Sequence, residues 1–186
     1  MIEKHPLKPF LPKNAKILML GSFPPPMIRW SMNFFYPNWI NDMWRIMGIV
    51  FYNDKHYFEV KGEKRFNKIL IEQFCSKQGI ALFDTACEVR RLNNNASDKF
   101  LEIVTITDIN YLLDKLPHCN SIVTTGEKAS EIIANSFCCE IPKIGEFREI
   151  MYNNRNLRFW RMPSSSRAYP LKLEMKADLY RVIFDK

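Results

Sequence analysis

Residues 162–167 read Met162-Pro163-Ser164-Ser165-Ser166-Arg167, three hydroxyls in a row closed by a cation. They follow an apolar segment at 157–161 and precede an amphipathic one. A serine-rich turn between a strand and a helix offers hydroxyls and unsatisfied backbone N–H groups, a place for a phosphate or another anion. A second turn, Gly21-Ser22-Phe23-Pro24-Pro25-Pro26, follows the apolar residues 17–20. Between the two lies the aromatic stretch 30–44, WSMNFFYPNWINDMW. Its rings could line a pocket for a flat ligand, since nucleobases stack on such surfaces. Its other use is as an apolar lid on the core. Phe34 and Trp44 are read as lid; for Phe35 and Tyr36 both uses stand. Pro37 sets the residue before it in an extended conformation.

These turns need a scaffold. Four short apolar runs, at 17–20, 80–83, 121–124 and 157–161, read as core strands. Helical periodicity fills the intervals: residues 67–75, 108–116, 127–137 and 171–183 each repeat apolar positions with the 3.6-residue period. A shorter helix runs from a cap at Asn41 through Met47, stopped by Gly48. Strands alternating with helices imply βαβ units with right-handed crossovers. The expected fold is α/β, a three-layer α/β/α arrangement around a central four-stranded parallel sheet, in one domain over 1–186. Both special turns then fall at the carboxyl ends of parallel strands, where open α/β sheets bind ligands. Asn93-Asn94-Asn95 reads as a surface turn.

Composition narrows the partners. The chain has 186 residues, 47% of them hydrophobic, and a formal net charge of +7. That balance favours an acidic partner, nucleic acid above all. The five cysteines, 75, 87, 119, 138 and 139, are odd in number and lack a C-x-x-C pair. Neither a disulfide framework nor a zinc or iron–sulfur site follows. The three histidines, His5, His56 and His118, are scattered and show no triad or metal spacing. No signal peptide or membrane span is visible, and a cytoplasmic, reduced protein is expected.

Taken together, these segments resemble the uracil-DNA glycosylase superfamily, nearest to its mismatch-specific thymine/uracil and hypoxanthine branches. Leu18-Met19-Leu20-Gly21-Ser22-Phe23-Pro24-Pro25 looks like the first family motif. Tyr36-Pro37 followed by Asn41-Asp42-Met43-Trp44 is similar to the "P…N-x-F-W" element. Residues 162–167 are very like the second motif of mismatch-specific members. Ile80-Ala81-Leu82-Phe83-Asp84 and Thr124-Thr125-Gly126 fall where the second and third family strands end. One departure stands out: Phe23 occupies the slot where mismatch-specific members carry the Asn that positions the attacking water. Hypoxanthine-type members also lack that Asn, and the later Asn, here Asn41, is the substitute. Asn38 and Trp39 are two extra residues around this element, and Thr125 stands where relatives often place an Asn.

The resemblance implies excision of a deaminated base, hypoxanthine or uracil, from DNA in base-excision repair. The base is flipped from the stack and its N-glycosidic bond hydrolysed, which requires no metal and no cofactor. Asn41 would hold the water, or serve only as a helix cap. Gly21, Ser22 and Phe23 would face the base, with Phe23 or Tyr36 stacking on it or packing in the core. Ser164, Ser165 and Ser166 would hold phosphates or cap the last helix, and Arg167 would contact DNA. Asp84 would face the same crevice and bond a loop or the substrate, in a structural rather than a catalytic role. Lys61, Lys64, Arg65, Lys68, Arg90, Arg91, Arg148, Arg155 and Arg158 would supply a positive face. The expected partner is DNA, met by a monomer with no membrane contact and no metal cluster. Two other readings stay open: a non-catalytic DNA- or nucleotide-binding member of this fold, and an α/β module binding a small phosphorylated ligand.

Overall fold

A computed structural model describes residues 1–92 and 100–185. The Asn93-Asn94-Asn95 turn lies outside the described residues. The main sheet contains β2 (Ile17–Gly21), β3 (Ile80–Asp84), β6 (Ser121–Thr125), β7 (Phe147–Tyr152) and β8 (Arg155–Met162). Its order is β3-β2-β6-β8-β7. The first four are mutually parallel, and β7 runs antiparallel to β8 at the edge. Strands β2, β3 and β6 are buried along their whole length, as expected for parallel strands covered on both faces.

The expected four-stranded parallel sheet is therefore corrected to a mixed sheet of five. A second sheet was not anticipated at all. It joins β1 (Ile2–Lys4), β4 (Ala86–Arg91) and β5 (Leu101–Ile106) in the order β1-β4-β5, all antiparallel. β4 begins two residues after β3 ends, so the chain passes from one sheet to the other at Thr85. That passage is pinned from three sides. Thr85 N–H and Oγ1–H donate to Gly21 O, Thr107 N–H donates to Thr85 O, and Thr107 Oγ1–H donates to Asp84 O at 2.6 Å.

The helices are α1 (Met43–Tyr52), α2 (Lys68–Gln78), α3 (Ile109–Asp114), α4 (Glu127–Ser136) and α5 (Leu173–Arg181). Asn67 and Asp108 cap α2 and α3, accepting from Leu70 N–H and Tyr111 N–H. Two sequence expectations fail here for local reasons. Gly48 does not stop α1, which runs on to a left-handed cap at Asn53. A Cβ on Gly48 would sit 2.3 Å from Asp54 O, so the glycine serves a close backbone approach rather than a helix end. The serine turn does not start the last helix either. Six residues, 167–172, separate it from α5, whose N-cap position is Lys172 with no side-chain cap bond.

Candidate functional site

One cavity of about 390 Å³ opens at the carboxyl ends of the parallel strands. Each of the four parallel strands delivers something to it: Gly21 from β2, Asp84 from β3, Thr125 from β6, and Ser164 just past β8. This is the crevice in which open α/β sheets take ligands. The structure thus brings together in one wall Gly21, Ser22, Phe23, Tyr36, Asn41 and the three serines, positions spread over 146 residue numbers. Of the site residues expected from sequence, Arg167 alone is not part of the lining.

The aromatic segment forms the cavity side. Trp30 bridges to Asn38 and Ser31 N–H donates to Pro37 O, which closes residues 30–38 into a loop. Trp44 is buried and donates Nε1–H to Phe35 O at 3.0 Å. Phe34 and Phe35 are buried as well, so for them the lid reading holds, although Phe35 still touches the cavity. Tyr36 is half-buried, with its hydroxyl 3.0 Å from Thr125 Oγ1 and its ring edge-on to Trp44. Its φ is 49°, in the left-handed region, which corrects the extended conformation expected before Pro37. A bulky residue at positive φ is costly, on the order of 1–3 kcal/mol, and such strain gathers at ligand sites. The phenol is pushed far above its ordinary value by burial, then by the nearby Asp84 charge, so it stays a neutral donor. The two extra residues of this element have structural duties. Trp39 lies under the Arg45 guanidinium, 4.4 Å from its ring centroid, and Asn38 Oδ1 accepts Ile40 N–H.

Asn41 borders the cavity half-buried. Its Oδ1 accepts Met43 N–H at 2.9 Å. That bond fixes the amide orientation, because a backbone N–H must meet the oxygen and not the NH2 group. The amide keeps one lone pair of Oδ1 and its NH2 group for a ligand or a water. The helix position next to it, Asp42, supplies no cap bond and turns to a different task.

Asp42 is 5% exposed and sits at a charge cluster that sequence spacing did not reveal. Arg167 Nη2 lies 3.1 Å from its Oδ1, Lys176 Nζ 3.4 Å from its Oδ2, and Arg45 Nη1 3.8 Å away. Lys176, only 1% exposed, also donates to Ser166 O at 2.8 Å. Asp42 N–H donates in turn to Ser165 O. The start of α1, the serine turn and α5 are thereby tied at one point, which holds Asn41 opposite the serines. Within the turn, Ser164 Oγ accepts Ser166 N–H and Ser166 Oγ accepts Ala168 N–H. Arg167 is half-exposed and leans on Asp42, with part of its guanidinium facing solvent.

A second unanticipated pair joins the cavity residue Asp84 to His5 behind it. His5 Nε2–H donates to Asp84 Oδ2 at 2.9 Å, and both side chains are almost fully buried. The imidazole lies among Phe23, Phe35 and Phe83, at ring-centroid distances of 5.3, 6.3 and 4.5 Å. Phe23 packs with Ala86 and Val89 of β4 and Leu101 of β5, so its ring belongs to the small core of the second sheet. Asp84 lines the cavity, and its Oδ2 is the oxygen that His5 engages; the other carboxylate oxygen is Oδ1. A Cβ on Gly21 would lie 2.4 Å from that oxygen, so only glycine lets the carboxylate reach this position. No sequence signal could link His5 to Asp84; β1 pairing with β4 is what carries the N-terminus there.

Five of the nine cations expected on a positive face are paired with carboxylates. Arg90 pairs with Glu102, Arg65 with Glu63, Lys68 with Glu72 and Arg148 with Glu140. Arg91 is buried against Glu3, and Arg155 donates to carbonyls at the end of α3. Arg158 lies over the Phe147 ring, while Lys61 and Lys64 border a separate shallow groove. Among the described residues, no group of three or more His, Cys, Asp or Glu is placed to hold a metal ion. No helix among them is long and apolar enough to cross a membrane.

Neither a family model nor a curated protein matches the sequence. Among solved structures, the chain is similar to the solution NMR structure of a Methanosarcina acetivorans protein described as a "putative Uracil DNA glycosylase". The likeness spans 100% of both chains, with a TM-score of 0.63 and 22% sequence identity. It is a likeness of fold: mixed α/β, end to end.

Proposed function

We propose that the chain is a DNA glycosylase that flips a deaminated base, hypoxanthine or uracil, into this cavity and hydrolyses its N-glycosidic bond. The observation that carries the reading is the convergence of Gly21, Ser22, Phe23, Tyr36, Asn41 and the three serines on one cavity at the strand ends, on a fold similar to that of the Methanosarcina acetivorans protein. A cavity of about 390 Å³ walled by Phe35 and Tyr36 suits a flat heterocycle.

The residues divide the work as follows. Tyr36 and Phe35 give the base an apolar wall, and the backbone of Gly21, Ser22 and Phe23 runs along its edge. Asn41 holds the water through the free lone pair of its Oδ1. An amide is a poor base, which suffices when the C–N bond breaks ahead of attack and the sugar becomes oxocarbenium-like. Asp84 Oδ1, kept in place by His5, accepts an N–H of the base and places a negative charge near the cationic sugar. The three serines receive flanking phosphates opposite Asn41, and Arg167 adds charge at the rim. No metal and no cofactor enters the scheme, and one domain carries all of it.

A second reading has one observation in its favour. Asn41 Oδ1 already accepts Met43 N–H, and Phe23 fills the slot of the usual catalytic amide. A protein of this kind would bind a flipped nucleotide without cutting. Oligonucleotides bearing uracil, hypoxanthine or mismatched thymine, incubated with the protein and then treated with alkali, separate the two. Strand scission at a deaminated base supports the glycosylase; retention of the intact strand with tight binding supports the binder.

A further inference from the structure

The cavity leans on a segment that belongs to none of the motif loops. Residues 2–10 cross from the second sheet to the main one. Ile2, Glu3 and Lys4 pair with Arg90, Val89 and Glu88 of β4, and His5 N–H donates to Cys87 O at 2.8 Å. Farther along, Phe10 N–H donates to Leu82 O at 3.0 Å and Leu82 N–H to Phe10 O at 2.9 Å. The arm is thus fastened on both sides of His5, and its second anchor is the strand that ends in Asp84. The His5 side chain is 4% exposed and that of Asp84 10%. Among the described residues, His5 alone bonds the Asp84 carboxylate.

The imidazole can gain or lose a proton where it stands. Its Nε2–H donates to Asp84 Oδ2 at 2.9 Å. Its Nδ1 lies 2.9 Å from Leu7 O and 3.2 Å from Leu7 N. A neutral ring accepts Leu7 N–H there, and an imidazolium donates to Leu7 O instead. Both states keep the Asp84 bond, and neither leaves Nδ1 unmet. What changes is the charge beside the carboxylate. Phe23, Phe35 and Phe83 pack on the ring, so the two charges meet where water screens them poorly. The other titratable groups around the pair are engaged elsewhere. The Cys87 thiol of β4 lies 3.3 Å from Thr107 Oγ1, and Tyr36, beyond Asp84, stays a neutral phenol. Arg91 of β4 stands across the Phe23 ring, 5.9 Å from its centroid, and is matched by Glu3.

We infer that this arm is a working part of the cavity: neutral His5 is a positioning residue that aims a charged Asp84 at the flipped base, and a proton taken up by His5 cancels that charge, so that acid switches excision off. The inference rests on the glycosylase reading. The sugar turns cationic as the base departs, and an uncompensated carboxylate nearby lowers the barrier. Protonated His5 makes the pair neutral overall and withdraws that help. Histidine is the side chain whose charge changes between about pH 5 and 8.

The test follows single-turnover excision from about pH 5.5 to 8 in wild type, His5→Phe and His5→Gln. Phe keeps a ring among the three phenylalanines but has no donor. Gln offers Asp84 an N–H and takes up no proton in this range. Wild type should slow by about tenfold toward the acid end, and His5→Phe should lose about tenfold or more at the alkaline end. His5→Gln should recover most of that loss and respond little to pH. An acid-side fall that persists in His5→Gln, or a His5→Phe rate equal to wild type at the alkaline end, overturns the inference. Circular dichroism checks folding, and if His5→Phe is unfolded the His5→Gln profile decides alone. A second readout needs no cleavage. It compares binding to a duplex carrying the 2′-fluoro analogue of the deaminated nucleotide, whose electron-poor sugar resists cleavage, with binding to an abasic analogue. His5→Phe should lose the affinity that the base adds and keep its affinity for the abasic duplex. If wild type excises nothing, yet shows that added affinity and His5→Phe lacks it, the glycosylase reading fails and positioning by His5 stands. If wild type shows neither excision nor added affinity, both fall.

Discussion

Replacing Asp42 and Lys176, singly and together, probes the joint that holds the two motif loops face to face. Lys176 is 1% exposed and has two partners, Asp42 Oδ2 at 3.4 Å and Ser166 O at 2.8 Å. In Asp42→Asn the buried ammonium keeps only neutral acceptors. Removing one partner of a buried pair costs about 3–5 kcal/mol. In Lys176→Met the carboxylate still has Arg167 at 3.1 Å and Arg45 at 3.8 Å, and the side-chain volume is nearly conserved. What is lost is chiefly the bond to Ser166 O, so about 1–2 kcal/mol is expected. The acid therefore matters more than the base. The double variant strands no charge on α5 and should cost less than the sum by about 1 kcal/mol or more. Urea unfolding measures all three, read as a shift in midpoint at constant slope. A Lys176→Met penalty equal to or above that of Asp42→Asn, or strict additivity, would refute the reasoning. Lys176→Met should also slow excision under conditions where it is fully folded, since Ser166 O loses its donor and the serine turn loosens.

Asn41→Ala should lower single-turnover excision by about tenfold, roughly 1.4 kcal/mol of transition-state stabilisation, with little change in binding to an uncleavable abasic analogue. If stability falls while the rate per folded molecule holds, the Met43 bond is the whole role of Asn41. Arg167→Ala should weaken binding to duplexes of any sequence and flatten the salt dependence by about one phosphate contact, as measured by titration across salt concentrations; unchanged affinity would assign Arg167 to Asp42 alone. Burial pushes the Tyr36 and Tyr180 phenols upward, Tyr36 further by the Asp84 charge and Tyr180 by Tyr36. Their folded-state values lie above the unfolded value of about 10, so they add stability below that pH which is lost as pH rises beyond it. Ultraviolet titration of the seven tyrosines should leave these two silent until the protein unfolds, and ordinary titration of all seven in the folded protein would contradict their burial.

The parallel strands were legible because burial on both faces leaves runs free of charge at 17–20, 80–83 and 121–124, while the fourth, Arg155–Met162, showed through its buried Leu157, Phe159 and Trp160. The edge strand Phe147–Tyr152 was missed because it buries only Ile150 and Tyr152 and so presents no apolar run. The second sheet escaped for a related reason: Leu101–Ile106 buries little beyond Leu101. The motif loops were legible from proline, glycine and serine at strand ends, and they do meet at one cavity. Asn41 as a helix cap was half right, since it bonds Met43 N–H from just outside the cap position. The pairs behind the site were not legible. His5 reaches Asp84 across 79 positions and Lys176 reaches Asp42 across 134, and no local periodicity encodes either. Both depend on sheet pairing and on α5 returning to α1.

The central claim is that the cavity hydrolyses an N-glycosidic bond, and release of the free base in isotopically labelled water tests it most directly. A duplex carrying hypoxanthine or uracil is held with excess protein in H2-18O, and the base and the sugar are then analysed by mass. The account predicts free base without label and an abasic sugar that has gained one heavy oxygen at C1′, with release slowed in Asn41→Ala. An intact duplex after prolonged incubation, under conditions where binding is saturated, would contradict it and leave the cavity a binding site.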